Sequence, residues 1–374
     1  MWRKRLSLLF LIVAWFAIGW LTRGLISPPL NSELQLVAQA GDVLTAKAYG
    51  PLPATRSMTY AAIRGLLDSL DDKYAVFFDP QAAEHDALGL QGQDAVIGLR
   101  GELRNGQFVV IDVFPDQPAA QAGIQVGDII LEVDGWPITD TAFQSEVVSM
   151  IRGPIGSVAH LTVTRSAQTL KFDVPRQPAQ DVTTRLIDGH IGYIRLDRFT
   201  DQSPRQMEDG LKSLLASNPS GLIWDLRYNG GGLMDVTQKV LDLFLPEGLA
   251  FYAKTSDGKL IPYPTVSGNL AEQIPLVVLI GPDTYSAPET AAAAIADRGR
   301  GKLIGQTTHG KGSIVDTVRL IDGSALRFTV ARWLSPVHQT DFEGRGVSPD
   351  IVVAENSQGA TEDSVLQRAV ALLK

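Results

Sequence analysis

Two side chains 25 positions apart, Ser286 and Lys311, offer this chain a hydrolytic chemistry that needs no histidine. A hydroxyl can attack a carbonyl if a neighbouring amine, desolvated enough to be neutral, takes its proton. The stretch that carries them reads IPLVVLIGPDTYSAPETAAAAIADRGRGKLIGQTTHGKGSIV, residues 274–315. It divides into a strand Leu276–Ile280, a turn, an Ala-rich helix Ser286–Asp297, a strand Lys302–Gly305 and a loop bearing Lys311. If the two strands are parallel neighbours, a right-handed crossover puts both loops at the same carboxyl edge of a sheet.

Each residue also has a plainer reading. Ser286-Ala287-Pro288-Glu289 fits a capping box, with serine at the N-cap and glutamate three residues on. Gly305-x-x-x-x-Gly310-Lys311 resembles most of a phosphate-binding loop, but Gly312 stands where that loop needs Ser or Thr. The following SIVDTVRL alternates like a strand and does not open a helix. His309 is the one histidine near the pair and competes with Lys311 for the role of base. A third segment, Asn229-Gly230-Gly231-Gly232, joins an apolar strand, Leu222–Leu226, to a helical pattern, Val236–Leu245. Glycines there suit a flexible connection, or a set of backbone N–H groups converging on an anion. Beside a Ser-Lys pair the second reading makes half an oxyanion hole, with Gly231 as donor and the N–H of Ala287 as the other half.

The elements that must position these residues need more than one domain. The chain has 374 residues, 45% apolar and 20% charged, enough for two or three domains with ample cores. A net charge of −8, with no basic run after residue 5, argues against nucleic acid as a partner. The absence of cysteine excludes a thiol nucleophile, disulfides and thiolate metal sites. Arg3, Lys4 and Arg5 precede an apolar run, Leu6–Leu21. This pattern holds the N-terminus in the cytoplasm and sends the rest outward. A cleavable signal peptide is the competing reading, but no small-x-small site follows the run cleanly, which favours an uncleaved anchor over residues 1–27. Residues 28–91 begin with a Pro28-Pro29 linker and read as helical, with Ile63, Leu66, Leu67 and Leu70 at helical spacing. Residues 92–176 form a strand-rich module with segments Ala95–Leu99, Phe108–Val113, Ile129–Val133 and His160–Arg165. Residues 177–374 hold the Ser-Lys core and close on an amphipathic helix, Ser364–Leu373.

From about residue 55 onward the chain resembles the carboxyl-terminal processing peptidases, PDZ-containing serine proteases with a Ser-Lys dyad. The resemblance rests on an ordered series of segments: AIRGLLDSLDDKYAVFFDP (62–80), QAGIQVGDIILEVDGWPI (121–138), GYIRLDRF (192–199) and LIWDLRYNGGGL (222–233). It continues through Ser286-Ala287-Pro288-Glu289, Gly310-Lys311-Gly312, DGSALRFTVARWLSP (322–336) and GRGVSPDIVV (344–353). It implies an α/β protease core of crotonase-like ββα type with an inserted PDZ domain, N-terminal helices and a membrane anchor. It further implies Ser286 as nucleophile, Lys311 as general base and no metal or organic cofactor. Val96-Ile97-Gly98-Leu99 matches the loop where PDZ domains take a terminal carboxylate on backbone N–H groups, which makes Ile97, Gly98 and Leu99 the peptide-binding residues. Arg152 could help to attract that carboxylate. The implied partners are protein or peptide substrates with a free C-terminus and the cytoplasmic membrane, with the catalytic part outside the cytoplasm and room left for an oligomer. Three positions depart from the family: Val315 replaces a glutamine four residues after the lysine, His309 an aromatic, and Pro288 a serine. A non-catalytic scaffold that binds exported protein tails is the competing class, and Val315 is its support.

Overall fold

The computed structural model describes residues 32–114, 117–138, 144–266, 270–354 and 363–374. The expected anchor, residues 1–27, lies outside them. Among the described residues no helix is long and apolar enough to cross a membrane. The chain divides into two compact units between Ser69 and Leu70. In the first, helices Ser32–Lys47 and Thr55–Asp68 fall within the region read as helical, and the Ser69 hydroxyl donates to the Leu66 carbonyl (2.7 Å) at the second helix's end.

At the centre of the second unit is a six-stranded sheet whose spatial order is its chain order. Its strands are numbered here β1 (Val182–Ile187), β2 (Ile191–Leu196), β3 (Gly221–Asp225), β4 (Leu276–Ile280), β5 (Lys302–Gly305) and β6 (Ile351–Val352). β1 runs antiparallel to β2, and every later pair is parallel. β3 and β4 are buried at every position, as continuous apolar strands covered on both faces must be. Alternation sorts their side chains. Leu222, Trp224, Leu276 and Val278 meet helices α1 (Ser203–Leu215), α2 (Met234–Leu241) and α3 (Ala287–Asp297) through Met207, Leu211, Val240, Ala291 and Ile295. Ile223, Val277, Leu279 and Ile304 face Val365 and Ala369 of α4 (Ser364–Leu373). Each fully buried Leu, Ile or Val contributes roughly 1.5–3 kcal/mol, so this double-sided core is what holds the strand ends in place. Because β3, β4 and β5 are parallel, the loops with Asn229–Gly232, Ser286 and Lys311 all leave the same edge, as the sequence led us to expect.

A second sheet backs the lysine loop. Strand Ser313–Arg319, entered directly from Lys311 and Gly312, pairs with Ala325–Leu334, which also pairs with Val76–Phe78 and Gly248–Thr255. The indole N–H of Trp333 donates to the Lys311 carbonyl at 2.9 Å.

The strand-rich module has the sheet order Leu99–Arg104, Gln107–Val113, Ile129–Val133, Val158–Arg165, Gln168–Pro175. It surrounds its own core, including Phe108, Val110, Ile130 and Val163. The expected single strand Ala95–Leu99 is in fact divided. Asp94–Val96 pairs with Gln177–Pro178 and Gly153–Pro154, and the chain then turns at Gly98 before Leu99 opens a new strand. Gly98 has φ +81°, and a Cβ there would lie 2.1 Å from that of Gln117. The carbonyls of Ile97 and Gly98 leave the ladder to accept the N–H groups of Ala119 (2.7 Å) and Phe114 (3.0 Å). Where the chain enters and leaves the module, Arg198 grips Asp94 through two bonds (2.8 and 2.9 Å) and Asp181 through a third (2.7 Å).

Candidate active site

Ser286 sits on the turn between β4 and α3 with φ 70° and ψ −115°. A non-glycine residue held there stores roughly 1–3 kcal/mol of strain, which persists only where the surroundings over-determine it. The surroundings do so here. The Ser286 N–H donates to Glu289 Oε2 at 2.7 Å, and the preceding Tyr285 N–H to the Asn229 carbonyl at 3.0 Å. The capping reading of Glu289 is therefore right but incomplete. Its carboxylate is fully buried, and it also accepts the Thr308 hydroxyl (2.6 Å), the Gly310 N–H (2.6 Å) and the Lys311 N–H (2.9 Å). One side chain thus fastens the lysine loop to the nucleophile turn.

The Lys311 side chain is buried, with its amine 4.6 Å from the ring centre of Tyr74 and 4.8 Å from that of Tyr285. It has no hydrogen-bond acceptor among the described residues, and the Ser286 hydroxyl is not yet bonded to it. Burial, then the nearby charge of Arg327, lowers its pKa from 10.5 to about 8, against the opposing pull of Glu343, Asp72 and Glu289. His309 is exposed, and its ring stands edge-on to Tyr285 with centroids 4.7 Å apart. It makes no hydrogen bond to Ser286, so the geometry favours the lysine as base.

For an oxyanion, the Ala287 N–H lies at the first position of α3, where it has no intrahelical acceptor. Gly231 is pressed against the nucleophile: at φ +107° a Cβ would stand 3.0 Å from the Tyr285 carbonyl oxygen and 3.3 Å from Ser286 Cβ. Its N–H, however, is taken by Asn229 Oδ1 at 2.9 Å, which corrects the expectation of a free donor at that position. Asn229 also donates through Nδ2 to the Leu196 carbonyl (2.9 Å). The sequence reading treated this asparagine as part of a turn. Only its buried position in space shows that it ties β2, the glycine loop and the nucleophile turn together.

Strand Leu99–Arg104 is the edge of its sheet, so Ile97, Gly98 and Leu99 lead into a ladder with one open side, and helix Gln144–Ile151 packs near it. That is the arrangement for adding an extended peptide as an extra strand. Arg152 is not aimed at this loop; it pairs with buried Asp94 at 3.6 Å. Arg100, by contrast, reaches the segments beside the catalytic loops. It bonds Asp283 at 3.1 Å, three residues before the nucleophile, pairs with Asp112 at 3.3 Å and stacks over Tyr228 at 4.2 Å, just before Asn229.

Comparison with known proteins gives the family. Residues 190–353 match the model of peptidase family S41, and residues 109–165 match that of the PDZ domain. The chain is 30% identical over 337 residues to a carboxy-terminal-processing protease of Bartonella bacilliformis, covering 87% of this chain and 76% of the relative. It is 31% identical over 310 residues to a carboxyl-terminal-processing protease of Synechocystis, covering 80% and 72% of the two. Among solved structures it resembles a photosystem II D1 C-terminal processing protease, with 27% identity and a TM-score of 0.63 over 87% of this chain and 94% of the other.

Proposed function

We propose a mechanism for a chain that belongs to peptidase family S41 and is a carboxy-terminal processing serine protease carrying a PDZ domain. Ser286 attacks the scissile carbonyl. Lys311, neutral in the active fraction, accepts the hydroxyl proton and later returns it to the leaving amine. The Ala287 N–H holds the developing oxyanion, joined by Gly231 once Asn229 releases it, or by the adjacent Gly230. Such donors are usually the largest electrostatic contribution in an acyl-transfer site. The observation that carries this reading is the buried, unbonded Lys311 amine on a loop whose backbone Glu289 fastens to the turn of a strained Ser286.

In the same reading the PDZ domain selects substrates by a free C-terminus laid along Leu99–Arg104. The six-stranded sheet with its helices serves as a crotonase-like layer. The apolar N-terminal run anchors the chain in the cytoplasmic membrane, with the catalytic part facing the periplasm or exterior, where exported and membrane proteins are the substrates.

The test is proteolysis of casein by the purified full-length chain. Ser286→Ala and Lys311→Ala each abolish cleavage, and the double variant is no worse than either single one, because nucleophile and base act as a unit. Activity kept in Lys311→Ala but lost in His309→Ala would overturn the dyad. An intact fold with no cleavage by the wild-type chain would instead support a scaffold. Fractionation tests the anchor: the chain sediments with membranes and is released by deleting residues 1–27.

A further inference from the structure

A base must be aimed as well as neutral, and Lys311 has no oxygen to aim it. Val315, four residues on, has no polar side-chain atom to offer. What meets the amine is a pair of aromatic faces, and that of Tyr74 is tied to the lysine loop. The Tyr74 N–H donates to Asp72 Oδ1 (3.0 Å), and its hydroxyl donates to Glu343 Oε1 (2.9 Å), 269 residues away. The other oxygen of Glu343 accepts the Gly312 N–H (3.0 Å) and the Ser313 hydroxyl (2.8 Å). One carboxylate therefore fastens both the ring that covers the amine and the backbone that carries it. Glu343 stays ionised: burial works against this, but hydrogen bonds from Lys73, Ser313 and Tyr74 bring its pKa down to about 2.

We propose that Tyr74 and Glu343 are positioning residues for proton transfer, the ring face steering the Lys311 amine and the carboxylate holding ring and loop in register. In the transfer the Oγ–H bond breaks, an N–H bond forms on Nζ, the freed oxygen pair bonds the carbonyl carbon, and the carbonyl's π pair moves onto its own oxygen as the oxyanion. The amine becomes an ammonium at that moment, and an aromatic face attracts an ammonium more than an amine. Tyr74 thus holds the base before the step and favours its product after it. The other charged or titratable groups about the amine are Arg327, Asp72, Glu289 and the phenol of Tyr285.

The inference rests on Lys311 being the base, so the test measures Lys311→Ala in the same assay. With the full-length chain and a fluorogenic peptide, kcat and KM are followed across the pH limb of the wild type. Tyr74→Leu lowers plateau kcat roughly tenfold to a hundredfold at unchanged KM, the cost of a misplaced catalytic group. It also moves the limb to lower pH, because the ammonium has lost its aromatic face. Tyr74→Phe keeps that face but loses the bond to Glu343, so it restores the limb and only part of the turnover. Glu343→Gln shifts the limb in the same direction as Tyr74→Leu, since a charge favouring the ammonium is gone. An active Lys311→Ala would sink the base assignment itself. An inactive Lys311→Ala together with wild-type kcat and limb in Tyr74→Leu, or with Phe no better than Leu, would sink only this inference. Should Tyr74→Leu fail to fold, Glu343→Gln decides, and wild-type behaviour there overturns the proposal.

Discussion

Glu289 holds Lys311 by its backbone: one carboxylate oxygen accepts the Lys311 N–H at 2.9 Å and the Ser286 N–H at 2.7 Å. Lys311 and Ser286 therefore hang from a single buried pivot on α3, independent of the exposed parts of either loop. Hydrogen bonds to a charged group contribute roughly 1.5–3 kcal/mol each, and this group makes four.

Removing the pivot should cost both stability and turnover. Glu289→Ala takes the acceptor from the buried Gly310 and Lys311 N–H groups, the half-buried Ser286 N–H and the Thr308 hydroxyl proton, though the Thr308 oxygen still accepts the Val347 N–H; each buried group left without a partner costs about 1–3 kcal/mol before relaxation. We expect a lower midpoint in denaturant and cleavage at background. A variant with the wild-type midpoint would show that the two loops are held by something else.

Lys311 should weaken the fold it serves. Its pKa falls from 10.5 in the free side chain to about 8 when folded, chiefly through burial. The unfolded chain therefore binds more protons between these values, and stability rises with pH across that window. Below about pH 8 the full penalty, roughly 3 kcal/mol at 1.4 kcal/mol per pKa unit, is present. Lys311→Met should be inactive yet more stable than wild type at neutral pH, with the advantage shrinking as pH climbs towards 10.5. In the wild type, turnover should rise with pH on a limb near 8. Chemical denaturation at several pH values measures the first, and kcat profiles the second.

In the proposed mechanism Asn229 governs the glycine half of the oxyanion hole. Asn229→Asp keeps an acceptor for the Gly231 N–H but loses the bond to the Leu196 carbonyl and puts a negative charge beside the oxyanion. Losing one such donor typically lowers kcat about 100–1000-fold, and a fall of that order with unchanged KM is expected. Steady-state kinetics with circular dichroism as a fold control checks it, and wild-type kcat would remove Asn229 and Gly231 from the mechanism.

Peptides with a free, apolar C-terminus should bind the PDZ domain, and amidation should weaken them by removing the captured charge. Gly98→Val should abolish this difference, since a Cβ at that position would lie 2.1 Å from Gln117 Cβ. Arg100→Ala should leave tail affinity largely intact while altering turnover, because its partners are Asp283 and Tyr228 of the catalytic loops. Titration of acid and amide peptides into the full-length variants separates the two effects; equal affinities for acid and amide in the wild type would refute carboxylate capture.

The parallel strands were legible because burial on both faces writes itself as unbroken apolar runs, such as LVVLI at 276–280. Their order then placed Ser286 and Lys311 on one edge without further information. The ties between them were not legible. Glu289 looks like any capping glutamate, since its bonds to Thr308 and Gly310 span 19 and 21 residues and leave no local pattern. Tyr74 and Glu343 are farther apart still, and nothing in either neighbourhood announces the other. The division at Gly98 was hidden for a different reason: the run Ala95–Leu99 is apolar throughout, and the turn shows only in the positive φ of Gly98 and in the Ile97 and Gly98 carbonyls bonding outside the ladder.

The central sheet follows the order of synthesis, and that has a bearing on the safety of a protease in the cell that makes it. Ser286 and Lys311 emerge after Tyr74 and Asn229, and Glu289 lies between them, but other ties are made later. Glu343, β6 and α4 come last, and Asp363 at the start of α4 clasps Arg227, two residues ahead of Asn229, through bonds of 3.0 and 2.8 Å. Until those parts are made, Ser286 and Lys311 lack the carboxylate that ties the Tyr74 ring to the lysine loop. On the proposed mechanism the topology thus acts as a built-in delay on self-digestion, because an aimed pair waits for the segment from Glu343 to α4.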